Sequence, residues 1–116
     1  MIDVRERGVM EGQQKPDGTY AVERVVEKPD RPTSNLGIEP IYLFRSSIFE
    51  ALAKTQPGKD GELQLTDAIQ ELVASGKEVV AWRLSDSDLR LDIGTPESYW
   101  DAQKSSYEYF SNGRIV

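Results

Sequence analysis

Thr19–Lys28 reads TYAVERVVEK, and the fold follows from how this stretch is taken. It is rich in β-branched residues, which predicts one long strand. Just before it lies QQKPDGTY, Gln13–Tyr20. The Pro-Asp-Gly within it is a turn signal with a mechanism: proline presets one φ and glycine tolerates a positive one. Val9–Gly12 on the far side of the turn then reads as a short partner strand, and the pair as a hairpin. Pro29 and Pro32 end the pattern.

Further along, Gly37–Phe44 is expected as a strand carrying Ile38, Ile41, Leu43 and Phe44. Ser47 and Glu50 fit a capping box for a short helix with Ile48, Phe49 and Leu52 facing inward. Thr66 is placed to cap a second helix with an apolar stripe of Ile69, Leu72 and Val73, and Gly76 to end it. Val79–Leu84 and Leu89–Ile93 read as further strands, the latter by the alternation of Leu89, Leu91 and Ile93 with Arg90 and Asp92. Thr95 as N-cap, Pro96 at the first helical position and Glu97 near the positive helix end begin a last helix to Phe110. The fold class is α/β: a mixed sheet of about five strands with three helices. A chain of 116 residues suits a single domain. Yet the strands are not separated by regular helices, and no glycine-rich turn follows the first strand, so the expected object is a single partial domain.

The chain has neither Cys nor His. That excludes disulfides, thiolate or imidazole metal sites, cysteine nucleophiles and histidine bases. A metal would be held by oxygen, which favours Mg²⁺ or a similar hard cation. A net charge of −6 argues against broad binding to nucleic acid, though not against a small phosphorylated ligand. No apolar run reaches the roughly 18 residues of a membrane span, and the start, MIDVRERG, has no signal-peptide core. Cytoplasmic residence is the default expectation, without a membrane partner.

Four stretches, in order, resemble one family: RGVMEGQQKPDGTYAVERVVEKP (Arg7–Pro29), VEKPDRPTSNLGIEPIYLF (Val26–Phe44), PGKDGELQLTDAI (Pro57–Ile69) and RLDIGTPESYW (Arg90–Trp100). They are similar to the C-terminal half of the sugar-1-phosphate nucleotidyltransferases, which include the glucose-1-phosphate uridylyltransferases and thymidylyltransferases. The resemblance implies the C-terminal part of a nucleotide-diphospho-sugar transferase fold, with the nucleotide-binding half absent. It also implies the reaction: a sugar 1-phosphate oxygen attacks the α-phosphorus of a nucleoside triphosphate, and pyrophosphate leaves. Such transfers need positioning and charge neutralisation more than a covalent nucleophile. UDP-glucose is the expected product, since GELQLTDAI most resembles the uridylyltransferase branch.

By this resemblance Asp92 is a ligand of the catalytic Mg²⁺; read from spacing alone, it is a surface carboxylate beside Arg90. Glu27 accepts sugar hydroxyls and Lys28 contacts the sugar phosphate, so Lys28 and Asp92 are the implied catalytic pair. A carboxylate suits a diol and an ammonium a phosphate. Neighbouring strand residues point to opposite faces, so Glu27 and Lys28 can share a ligand only if the strand ends or bulges there. The plain alternative is an exposed strand end of mixed charge. Gly8 matches the family glycine whose amide approaches the sugar, but Arg7 stands where an aromatic is usual, and a turn glycine is the other reading. Glu62 falls at an acidic motif near the sugar pocket. Where some members have a phosphate-binding arginine this chain has Asp60, with Lys59 as a possible substitute. Thr66 and Asp67 are expected to cap a helix, and Trp82, Tyr99, Trp100, Tyr107 and Phe110 to serve the core or an oligomer contact. The implied partners are sugar 1-phosphate, nucleoside triphosphate and further copies in a homo-oligomer. The fragment alone is expected to be inactive. A non-catalytic binding or assembly module is the competing reading, and an unrelated α/β binding domain a third.

Overall fold

A computed structural model describes residues 4–58 and 60–113. The chain forms two compact units, Met1–Arg83 and Leu84–Val116. The first opens with a single 3₁₀ turn, Val4–Glu6, and the hairpin of β1 (Gly8–Gln14) and β2 (Tyr20–Glu27). Helices α1 (Ser47–Lys54) and α2 (Leu65–Ala74) follow, then the two-residue β3 (Val80–Ala81). The second unit contains α3, Pro96–Ser111.

The hairpin is antiparallel and runs in register from Gly8 opposite Glu27 to Gln14 opposite Tyr20. Its turn closes as the sequence implies. Gly18 has φ 89°, Lys15 N–H donates to Thr19 O at 2.7 Å, and Asp17 Oδ1 accepts from the Thr19 N–H at 2.9 Å. The Thr19 hydroxyl and amide together hold the Asp17 carboxyl below the usual carboxylate range. One irregularity interrupts the ladder, between Glu11 and Gly12. A side chain at Gly12 would run into the Ala21 carbonyl, so only glycine lets the strands approach there.

Helix α2 packs against β2 of the hairpin, and α1 packs on α2. Met10, Val25 and Ile69 form one buried cluster, and Ile48, Ala51, Ala68 and Leu72 a second. Phe44, Leu65 and Val79 pack against both. Gln70 Oε1 also takes the Val25 N–H at 2.8 Å, tying α2 to β2 through a polar group. Gly76, at φ 81°, closes α2 in a Schellman motif: Lys77 N–H reaches Leu72 O and Gly76 N–H reaches Val73 O. In the second unit Thr95 and Ser98 form a reciprocal capping box, with Pro96 in the first turn.

Three expectations need correction. The sheet of the described residues has three strands in the order β1-β2-β3, all antiparallel, where about five were expected. Gly37–Phe44 contributes only an isolated bridge, Val9 to Gly37, and Leu89–Ile93 contributes no ladder. Alternation marks a strand's faces but does not supply its partner. Pro40 removes a donor, and Leu43 is left fully exposed, with Ile41 86% exposed. Phe49, expected inward, is 72% exposed, because the buried stripe of α1 runs through Ile48 and Ala51. In α3 only Ala102 is buried, whereas Trp100, Tyr107 and Phe110 stand exposed.

The packing gives a direct comparison. Ile69→Ala is expected to cost about 2–5 kcal/mol, and Phe49→Ala under about 0.5 kcal/mol. Urea unfolding followed by circular dichroism reads both, and equal midpoints for the two variants would contradict this core.

Candidate functional site

The site is built where β1 begins and β2 ends, because Gly8 and Glu27 are partners in the ladder. Both lie on the sheet face that carries Met10 and Val25 toward α2, since residues two apart share a face. The Glu27 carboxylate meets the first turn of α2, where the Thr66 hydroxyl donates to Glu27 Oε2 at 2.5 Å. Gly8 keeps this corner open. A Cβ there would lie 3.0 Å from Thr66 Oγ1, 3.1 Å from Ile38 Cδ1 and 3.2 Å from Glu27 Oε2. Gly8 does not have a positive φ, so it serves space rather than a turn.

Lys28 follows directly, and its backbone is left-handed with φ 45°, the one positive φ among the described non-glycine residues. The strand therefore ends at Glu27, and the usual opposite-face rule for neighbours ceases to apply at Lys28. Lys28 N–H donates to Arg7 O at 2.9 Å, which anchors this turn to the start of β1. At the far end of the side chain, Nζ lies 2.9 Å from Asp60 Oδ2. The hydrogen bond to Asp60, and then its charge, raise the Lys28 ammonium above its ordinary value.

Two more groups sense the Glu27 charge. The Asp67 carboxyl is raised first by burial and then by Glu27. The Tyr42 phenol is raised by burial, then by Glu27 and Glu39. Arg7, standing in the place expected for an aromatic, pairs with Glu39 at 2.5 Å. Its stem lies over Gly37, where a Cβ would come within 2.9 Å of Arg7 Cδ.

Of the expected site residues, Gly8, Glu27 and Lys28 are thus together. Glu62 is exposed in the loop that joins α1 to α2; its carbonyl accepts from Gly58 N–H at 2.8 Å. Lys59 lies outside the described residues. Asp92 belongs to the second unit, is exposed, and takes the Gly94 N–H on Oδ1 at 2.9 Å. Among the described residues no group of three or more acidic side chains is placed to hold a metal ion.

Sequence reasoning missed Thr66. Gln64, not Thr66, is the N-cap of α2, and it makes no side-chain capping bond. The available signal was periodicity: Thr66 lies three residues before Ile69, so a polar residue occupies the inward stripe. Asp60 as the Lys28 partner had no signal, since the two are 32 residues apart.

Comparisons with known proteins show the family. The family model "Nucleotidyl transferase" matches residues 3–108, and the chain belongs to that family. A UTP–glucose-1-phosphate uridylyltransferase of Pseudomonas aeruginosa is 37% identical over 111 residues, which are 93% of this chain and 38% of that protein. A uridylyltransferase of the same description from Haloferax volcanii is 38% identical over 75% of this chain and 35% of its own length. Among solved structures, UDP-glucose pyrophosphorylase complexed with UDP-glucose superposes with a TM-score of 0.79 at 34% identity. That match covers 90% of this chain and 40% of the other. The chain therefore spans about two fifths of its relatives. This corrects the expectation of a C-terminal half: the matched part is about two fifths of the relatives' length.

The Lys28–Asp60 pair has a measurable signature. Because Lys28 is raised in the folded state, its contribution to stability is complete below the ordinary ammonium value. It is lost as pH rises through the raised value. Asp60→Asn is expected to move the Lys28 titration to lower pH, read from its side-chain NMR shifts. An unchanged titration would show that Asp60 does not set it.

Proposed function

We propose that the chain forms the sugar-phosphate side of a nucleotidyltransferase that makes a nucleoside-diphosphate sugar, with glucose 1-phosphate and UTP as substrates. The observation that carries this reading is the junction at Glu27 and Lys28. There a strand terminates so that a carboxylate and an ammonium, adjacent in sequence, are released from opposite faces of the sheet. A sugar 1-phosphate has a matching order of chemistry, a polyol joined to a dianion. Glu27 accepts the hydroxyls, Lys28 meets the phosphate, and the Gly8 amide borders the sugar. Lys28 exchanges Asp60 for the phosphate when the ligand arrives, one oxygen anion for another.

In the reaction, the sugar phosphate oxygen bonds to the α-phosphorus of the triphosphate as the bond to the pyrophosphate oxygen breaks. Lys28 holds the attacking phosphate and offsets its charge; it transfers no proton. Mg²⁺, when bound, supplies further charge neutralisation between two anionic substrates. Glu62 serves as a lesser sugar contact.

The exposed Ile41 and Leu43 of the first unit and Trp100 and Tyr107 of the second favour association. Self-association of the 116-residue chain follows from this reading, and light scattering is expected to give a mass above the 13.1 kDa of one chain. A monodisperse 13.1 kDa species contradicts it.

Two assays test the function. Calorimetry is expected to detect glucose 1-phosphate binding, weakened roughly tenfold or more by Lys28→Ala, because one charge-assisted hydrogen bond is lost. A mixture of UTP, glucose 1-phosphate and Mg²⁺ is expected to release no pyrophosphate with these 116 residues alone. Binding that ignores Lys28→Ala overturns the site. A non-catalytic assembly module would bind neither substrate.

A further inference from the structure

Thr66 is the one buried polar side chain among the described residues, at 5% exposure. A buried hydroxyl needs an acceptor, and its acceptor is Glu27 Oε2. Its neighbours in α2, Ala68 and Ile69, are buried in the two core clusters, so the hydroxyl is carried on a fixed frame. It does not cap the helix, because Gln64 holds that position. Glu27 is thus gripped by one oxygen only. Its Oε1 has no hydrogen-bond partner among the described residues, and a glycine at position 8 leaves the corner uncrowded.

We propose that Thr66 is a positioning residue: by fixing Oε2 it aims Glu27 Oε1 at a hydroxyl of the sugar, and so sets preference for a sugar phosphate over phosphate itself. The inference rests on the functional reading above. A carboxylate on a flexible stem loses rotamer freedom when it binds, and a second contact that has already fixed it removes that cost. The selection acts on the polyol end alone, since the phosphate end belongs to Lys28, held from a different loop by Asp60.

The test compares the affinities of glucose 1-phosphate and inorganic phosphate by calorimetry in wild type, Thr66→Val and Thr66→Ser. Valine keeps the shape and deletes the donor; serine keeps the donor. The expected result is that Thr66→Val loses about tenfold in affinity for glucose 1-phosphate while inorganic phosphate binds as before, and that Thr66→Ser restores the preference. If wild type prefers the sugar phosphate and Thr66→Val prefers it equally, the positioning role is wrong and the functional reading stands. If Thr66→Val weakens both ligands alike, Thr66 only supports the fold and the proposal is wrong. If wild type itself shows no preference for the sugar phosphate, both fail together.

Discussion

The left-handed backbone of Lys28 is the constraint on which the site depends. A non-glycine residue at φ 45° costs on the order of 1–2 kcal/mol relative to ordinary strand geometry. The cost is borne because the surroundings fix it: the ladder stops at Glu27, Arg7 O takes the Lys28 amide, and Pro29 follows. Proline after lysine also disfavours a right-handed helical exit. Continued as a strand, Lys28 would point to the face opposite Glu27. The turn removes that opposition between the Glu27 carboxylate and the Lys28 ammonium.

Around this turn, distant segments are held by short-range chemistry. Gly8 supplies space, Thr66 a donor, Asp60 a counter-charge and Arg7 a carbonyl. They arrive from three parts of the chain, the start of β1, the loop before α2 and α2 itself, and the apolar clusters hold the hairpin and α2 together. Met10, Val25 and Ile69 lock the hairpin to α2, so the Thr66 hydroxyl meets Glu27 without a flexible linker between them. The polar site is therefore a by-product of a core placed two residue pairs away along the same strands.

Much of this was legible in the residues. The PDG turn, the Thr95–Ser98 helix start and the Gly76 helix end each have a local cause, and each forms where its residues stand. What local signals do not carry is partnership. Gly37–Phe44 and Leu89–Ile93 alternate like strands but have no ladder to join among the described residues, and Phe49 sits beside the buried stripe rather than on it. The same distinction divides the site. Glu27, Lys28 and Gly8 were singled out by motifs, whereas the contacts of Thr66 with Glu27 and of Asp60 with Lys28 form only once α2 and its preceding loop are folded against the hairpin.

Membership in the nucleotidyl transferase family gives the arrangement its context, with the chain spanning about two fifths of relatives described as acting on glucose 1-phosphate. The central proposal is narrower: that Glu27 and Lys28 grasp opposite ends of one molecule. A crystal of the protein soaked with glucose 1-phosphate tests it most directly. The account predicts the phosphate against Lys28 Nζ, in place of Asp60, and a sugar hydroxyl on Glu27 Oε1. Sugar phosphate bound instead on the outer hairpin face, between Arg24 and Arg31, with the Lys28–Asp60 pair intact, would contradict it.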